Sequence, residues 1–422
     1  GDVYKRQGKL SYSHTLNHDP ANSPLLSDIG VLALIPDEWE GVWQVRHQVL
    51  SRLSKYFHVT WVTPAQEWRK AWHWWGAPLP GSLPVRPTPE NMMVYRPGKL
   101  LPKLYKPHLL ASFLDRKRLA QAVKLLRDRG CRKIILYLWR PGFQTALDQV
   151  KHDLSCYHID DEYSFSEIEQ PVSEDERRLI SRVGQVFIHS PALLNKKGSL
   201  NSHTTFVPNG VDFLAHAVPR SEPEDLKAIH HPRVGYIGVI KSQLDFDLLV
   251  SLASRHQNWS FVLVGPRNRL NEHDTQLAER LSQMANVYFL GGKPVEVLPA
   301  YMQHMDVCIM CYRIDGYTKY IYPVKLHEYL ATGRPVIGAP IDSLRAFSEV
   351  VTLAQSTDEW SAALSASLQS DANAKERLDA RQMVARRHDW EFLVQLIAST
   401  MCSRLGETYH DRFEHIVRQS VC

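Results

Sequence analysis

Short apolar runs alternating with helix-periodic stretches, from residue 29 to residue 338, restrict the possible folds of this chain more than any other feature. Residues 29–35 are continuously apolar and stop at Pro36-Asp37, the pattern of a strand buried on both faces of a parallel sheet. Over 42–56 the apolar side chains Val45, Val49, Leu50 and Leu53 fall at helical spacing, and 59–62 then reads as a strand, which makes one βαβ unit. Further strands are expected at 133–138, 154–159, 185–189 and 204–207, with helices over 111–129 and 174–182 and a closing turn at 208–212. A second set starts at 233–240 and continues through strands 261–264, 287–290, 306–311 and 335–338, with helices over 246–255, 275–284 and 298–305. Two successive α/β halves follow, each a Rossmann-like parallel sheet. Sheets of this kind take ligands in the crevice at the carboxyl ends of their strands, so the cleft between the halves is the expected site.

The 422-residue length fits that division, because one hydrophobic core rarely serves so long a chain. The expected organisation is one Rossmann-like domain over 26–215, a second over 216–385, and C-terminal helices over 386–422 packing back toward the first domain. Residues 215–231 read as the linker. Residues 1–25, polar and without an apolar signal core, are expected to be disordered, the first seven reading as an artefact of assembly. With 44% hydrophobic and 23% charged residues the chain is not a disordered one, and no apolar run approaches the roughly 20 residues of a membrane-spanning helix.

Six cysteines form no dense framework, which suits a reducing cytoplasm. Cys308 and Cys311 lie inside an expected buried strand where their offset sends them to opposite faces, so the pair reads as structural. A net charge of +5 gives no case for nucleic acid. Its distribution is uneven: between Arg96 and Lys133 twelve Lys and Arg residues stand against only Asp115 and Asp128. Together with the tryptophan-rich stretch 68–89, read as a flap, that region suggests peripheral association with an anionic membrane.

Tyr320 to Ile337 reads as a short helix entered from a polar loop and left into a buried strand. Pro323 suits the first helical position and Gly333 the left-handed residue past the end. The free amides of Val324 and Lys325, with the Lys325 ammonium, would then favour a diphosphate at the helix start. Glu328 lies on the same face one turn deeper, where a carboxylate can accept from a ribose diol. Asp160 and Asp161, at the end of a first-half strand, are the candidate catalytic carboxylates, and adjacent residues there point in different directions.

Taken in order, the trp-containing 39–54, Tyr157-His158-Ile159-Asp160-Asp161, Val207-Pro208-Asn209-Gly210-Val211-Asp212, Gly235-Tyr236-Ile237-Gly238, Phe261-Val262-Leu263-Val264-Gly265-Pro266 and Pro323-Val324-Lys325-Leu326-His327-Glu328-Tyr329 carry a resemblance. From about residue 28 onward the chain resembles the GT-B glycosyltransferases, of the family 4-like, teichuronic-acid and capsule type. The resemblance implies two Rossmann-like domains facing across a cleft, with a nucleotide-sugar held by the second and a glycan or lipid-linked acceptor by the first. It implies transfer that is retaining and metal-independent, with no cofactor, the nucleotide-sugar being a substrate.

On the donor side it places Gly238, Lys241, Asn209, Tyr320, Tyr322, Pro323, Val324, Lys325 and Glu328; on the acceptor side Trp43, Gln44 and Arg46. Of the two carboxylates, Asp160 matches the family position better. The chain departs from many members in having Tyr320 where they carry a glutamate, and Val239 and Leu244 where they carry Arg and Lys; Lys241 and Lys319 are the nearby substitutes. The alternatives left open are a catalytically silent nucleotide-binding partner in a larger assembly, which Tyr320 favours, and a GT-B epimerase.

Overall fold

The computed structural model describes residues 23–65, 87–98, 100–165, 168–369 and 374–421. Two all-parallel sheets organise it. The first holds seven strands: β1 (Ile29–Leu34), β2 (His58–Val62), β3 (Met92–Tyr95), β4 (Lys133–Leu138), β5 (Leu154–Ile159), β6 (Gln185–Ile188) and β7 (Thr204–Phe206), in the order β3-β2-β1-β4-β5-β6-β7. The second holds six: β8 (Arg233–Ile237), β9 (Ser260–Val264), β10 (Val287–Gly291), β11 (Val307–Met310), β12 (Val336–Gly338) and β13 (Thr352–Leu353), in the order β10-β9-β8-β11-β12-β13. The strand order reverses beside β1 in one sheet and beside β8 in the other, the switch point at which such sheets bind ligands.

Burial explains the uninterrupted apolar runs. Every residue of β1, β2, β5, β8, β9 and β11 is buried, because helices cover both faces. The stretch 213–231 is not a free linker: Phe213, Leu226 and Ile229 sit in the core of the second domain, and the Arg233 guanidinium donates to the Leu226 and Ile229 carbonyls at 2.7 Å each. The helix Trp390–Leu405 packs Trp390, Val394, Ile397 and Met401 into the core of the first domain, beside Phe413 of the helix Glu407–Val421. The chain thus crosses between domains twice. The two crossings are tied together, Val211 N donating to His388 O at 2.9 Å and Trp390 N to Val211 O at 2.9 Å.

Cys308 and Cys311 are both buried, and burial pushes each thiol up to about 12, which leaves them inert. Of residues 1–25 only the last three are described, and Leu25 N donates to Lys55 O at 3.0 Å. The flap reading of 68–89 falls almost wholly outside the described residues.

Candidate active site between the two sheets

The helix Val324–Ala331 begins one residue later than expected: Pro323 is its N-cap, with φ −68° and ψ 123°, and not its first helical residue. Proline still suits the place, since an N-cap adopts an extended conformation and needs no intrahelical donor. Gly333 follows the helix with φ +75°, where a Cβ would also meet Leu378 Cγ at 2.6 Å. No backbone acceptor takes the Val324 and Lys325 amides among the described residues, so the helix start presents donors.

Lys325 reaches from this helix over the end of β8. A Cβ on Gly238 would stand 2.8 Å from Lys325 Cε and 3.0 Å from its Nζ, so only glycine lets the ammonium lie there. The ammonium sits 5.1 Å from the Tyr236 ring centroid and 3.1 Å from the Tyr312 hydroxyl. Burial works against its charge, and the two phenols more than offset that, so Lys325 stays a cation. Lys241 follows on the same loop. Its basicity is lowered by burial and by the Lys325 ammonium, and partly restored by Asp161. The Lys325 ammonium thus disfavours the charge on Lys241, and an anion held by the open amides of the helix start would favour both charges.

Behind this loop Gly265, at φ +153°, packs against the Gly238 backbone so closely that a Cβ would lie 2.0 Å from Gly238 O. Gly265→Ala is therefore expected to displace the Gly238 loop. The check is a binding titration with nucleoside diphosphates, in which affinity should fall at least tenfold while the circular dichroism spectrum keeps its α/β shape.

The two carboxylates after β5 have divergent surroundings. Asp160 faces into the first domain: Oδ1 accepts from Arg140 Nη1 at 2.8 Å and from the Tyr163 hydroxyl, and Oδ2 lies 3.4 Å from Arg46 Nη2. Burial would raise its pKa, but the Arg46 and Arg140 guanidiniums and the Tyr163 hydroxyl overcome this and hold it below the usual carboxylate range. Asp161 faces across the cleft, its Oδ1 accepting from the hydroxyl of Tyr317 in the second domain at 2.8 Å. Of the pair, Asp161 is the one linked electrostatically to Lys241.

Other expected site residues separate into distinct places. Asn209, buried after β7, donates through Nδ2 to the Tyr322 carbonyl at 2.6 Å, which straps the approach to the helix Val324–Ala331 to the first domain. Its Oδ1 is buried with no hydrogen-bond partner among the described residues, an acceptor available to a ligand. The Tyr322 hydroxyl pairs with His327 Nε2 at 2.9 Å in the interior. Tyr320 leaves the second domain altogether: its ring joins the core of the first, and its hydroxyl donates to Glu169. Lys319 also donates to Glu169, at 2.5 Å, and these two donors hold the Glu169 carboxyl down at about 2. Tyr320 and Lys319 thus clasp the domains together. Glu328 is partly exposed and lies near enough to Lys325 to support its charge.

Arg46 is buried between Asp37, 3.0 Å away, and Asp160, and donates to Gln44 Oε1 at 2.5 Å. Trp43 packs on Trp39 and His47, with ring centroids 5.3 and 4.7 Å away. His158 lies inside the sheet, stacked on Trp139 at 4.1 Å, and burial lowers its pKa to about 3, so it is a packing residue and not a base.

Sequence reasoning missed Tyr236 and Tyr312 beside Lys325, Arg140 and Tyr163 on Asp160, and Tyr317 on Asp161. The available signal was position, since Tyr312 and Arg140 each follow the end of an expected strand, where loops line the crevice.

Residues 231–370 match the family described as Glycosyl transferases group 1. Over 270 residues the chain is 29% identical to a Bacillus subtilis glycosyltransferase named for teichuronic acid biosynthesis, an alignment spanning 59% of this chain and 64% of that protein. A glycosyltransferase structure from Rickettsia africae aligns with 90% of this chain and 99% of its own, at TM-score 0.64 and 12% identity. An α,α-trehalose 6-phosphate synthase from Burkholderia multivorans aligns with 94% of this chain and 98% of its own, at TM-score 0.60 and 13% identity. At such identities the structures speak for the fold alone, the two-domain GT-B architecture, and residues 231–370 are similar to the glycosyl transferases group 1.

Proposed function

We propose that the protein transfers a glycosyl unit from a nucleotide-sugar to a cell-envelope polysaccharide or a lipid-linked acceptor. The observation that carries this reading is the Lys325 ammonium, folded over Gly238 beside Lys241 and the open amides of the Val324–Ala331 helix. Breaking a sugar–phosphate bond leaves charge on the departing diphosphate, and fixed donors aimed at it contribute about 3 kcal/mol each. The two lysines supply the positive charge that a divalent cation would otherwise bring, hence the metal-independent form of the proposal. Gly238, Val324 and Lys325 hold the diphosphate, and Glu328 and Asn209 Oδ1 accept from sugar or ribose hydroxyls. A structure with this fold from Escherichia coli is bound with UDP-2-fluoro glucose, a nucleotide-sugar analogue.

Asp161 stands across the cleft from the two lysines and is the carboxylate placed to steady the positive charge at the anomeric carbon or to take the acceptor proton. Asp160, fully engaged by Arg46 and Arg140, positions the loop. A departing phosphate on the same face as the incoming acceptor, guided by the lysine side of the cleft, gives retention. The acceptor enters from the first domain, near Trp43, Gln44 and Arg46, and the basic region of that domain brings the enzyme to the membrane surface that carries a lipid-linked acceptor. The teichuronic acid role printed for the Bacillus relative supports an envelope polysaccharide.

The test is a thermal-shift panel of nucleoside diphosphates followed by hydrolysis of the matching nucleotide-sugar. One base should raise the melting temperature and its sugar conjugate should be consumed; no shift with any of them contradicts the reading. Glu328→Gln should weaken the preferred diphosphate roughly tenfold by calorimetry, the scale of a lost hydrogen bond to a charged group.

A further inference from the structure

Asp160 and Asp161 differ in which domain satisfies them. Among the described residues Asp160 draws Arg46, Arg140 and Tyr163 from the first domain, whereas Asp161 takes a partner from across the cleft. Both hydrogen bonds that Asp161 accepts among the described residues fall on Oδ1, one from the Glu162 amide and one from the Tyr317 hydroxyl, each 2.8 Å long. Oδ2 is left for a substrate. The Glu162 bond lies within the loop itself, so the Tyr317 bond is the one that depends on how the two domains meet.

The first-domain side of this contact is anchored. Glu162, buried next to Asp161, lies 3.2 Å from Lys197 Nζ and 3.3 Å from Lys196 Nζ, and it accepts from the Ser164 amide at 2.8 Å. Lys197 is itself fully buried and also reaches Glu176 at 2.8 Å. Buried charges compensated in this way keep their geometry, because separating them would leave a charge alone in the interior. The backbone that carries Asp161 is therefore held, and the orientation of its carboxylate is what remains adjustable.

The second-domain side is seated by contacts of its own. Asp315 Oδ1 accepts from the amides of Tyr317 and Thr318 at 2.9 and 2.7 Å, which makes a self-supported turn. The Tyr317 ring lies 5.4 Å from that of Phe165. Two residues further on, Lys319 and then Tyr320 donate to Glu169, and Lys196 stands 3.4 Å from the same carboxylate. Lys196 thus joins the clasp at Glu169 to Glu162, the residue after Asp161. Burial and the Asp161 charge both raise the Tyr317 pKa, so its hydroxyl keeps its proton and stays a donor.

We propose that Tyr317 is a positioning residue for the transfer: its hydroxyl, brought by the second domain, holds Oδ1 of Asp161 and so turns Oδ2 toward the reacting carbon and the acceptor. The carboxylate is then set only when the segment 313–320 is seated on the first domain, which ties the chemistry to the joined arrangement of the two. A carboxylate free to rotate is aligned for only part of the time, and alignment of the reacting groups is a large share of rate enhancement. The inference rests on the glycosyltransferase reading and on Asp161 as the acting carboxylate.

The experiment compares Tyr317→Phe, Asp161→Asn and the double variant in the full chain, by steady-state hydrolysis of the nucleotide-sugar whose diphosphate the wild type binds. Phenylalanine keeps the ring against Phe165 and removes only the hydroxyl. Tyr317→Phe should lower kcat about tenfold or more, the scale for a lost hydrogen bond to a charged group, while KM, diphosphate affinity and the melting temperature stay at wild-type values. In the Asp161→Asn background the same substitution should cause no further loss, because the group it positions is gone. An unchanged kcat in Tyr317→Phe would overturn the proposal. So would an equal fold-loss in both backgrounds, or a loss accompanied by a higher KM and a lower melting temperature, either of which makes the hydroxyl structural. With diphosphate binding intact and Asp161→Asn inactive, those results leave the glycosyltransferase reading standing. A wild type that binds no diphosphate, or a fully active Asp161→Asn, removes that reading of the site and the proposal together.

Discussion

Replacing Lys325 by methionine lowers turnover of the preferred nucleotide-sugar by a factor of about 10²–10³, the scale for removing one fixed donor from developing charge. The side chain keeps its length, so it still fills the space over Gly238 and beside the Tyr236 and Tyr312 rings, and stability should change little. Binding of the nucleoside diphosphate should weaken about tenfold or more. Lys241, freed of its charged neighbour, should become more basic, because the Lys325 ammonium is one of the two influences depressing it. Steady-state kinetics with calorimetry separates the effects; a variant as active as the wild type would remove Lys325 from the phosphate site.

The second large effect distinguishes Asp160 from Asp161. Asp161→Asn should leave folding and diphosphate binding near wild type and lower turnover by two orders of magnitude or more, as expected for a positioned acid, base or charge stabiliser. Asp160→Asn should act on stability. It leaves Arg46 and Arg140 with one counter-charge fewer in a buried setting, which costs about 3 kcal/mol. Because the folded-state pKa of Asp160 is depressed, its contribution is present above the ordinary carboxylate range and is lost as pH falls through the folded value. Chemical denaturation at neutral and acid pH should therefore show a gap between wild type and Asp160→Asn that narrows on acidification. If Asp161→Asn retains full activity and Asp160→Asn is inactive yet stable, the catalytic role belongs to Asp160.

The sequence carried most of the sheet and the phosphate-facing helix, because fully buried strands leave unbroken apolar runs and helix ends leave Pro323 and Gly333. It missed β3, a four-residue strand following a proline-rich stretch at 84–89, and β13, which has only two residues and no pattern to show. The stretch 215–231 looked like a linker because Leu226 and Ile229 are isolated among polar residues. Only the tertiary structure reveals that both fill the second core. Tyr312 lies just past the expected strand 306–311, where sequence gives no partner, and its place beside Lys325 is set by the fold, which brings that side chain from the helix Val324–Ala331 to within 3.1 Å of the Tyr312 hydroxyl. Tyr320 was the clearest departure from the family pattern, and its partner Glu169 lies 151 positions away in the other domain, a distance that local reading does not bridge.

That clasp bears on the silent-partner alternative. Tyr320 binds Glu169 and joins the core of the first domain, so its departure from glutamate has a structural use and is not evidence of lost chemistry. Tyr320→Phe should accordingly loosen the domains without abolishing nucleotide binding, visible as a more expanded profile in solution scattering.

The central claim is that the cleft between the sheets binds a nucleoside diphosphate through Lys325 and its neighbours. Calorimetric titration of the wild type and of Lys325→Met with UDP, GDP, ADP and dTDP tests it most directly. At least one of the four should bind the wild type with 1:1 stoichiometry and bind Lys325→Met about tenfold or more weakly. Equal affinity in the two proteins, or no binding of any diphosphate to the folded wild type, would contradict it.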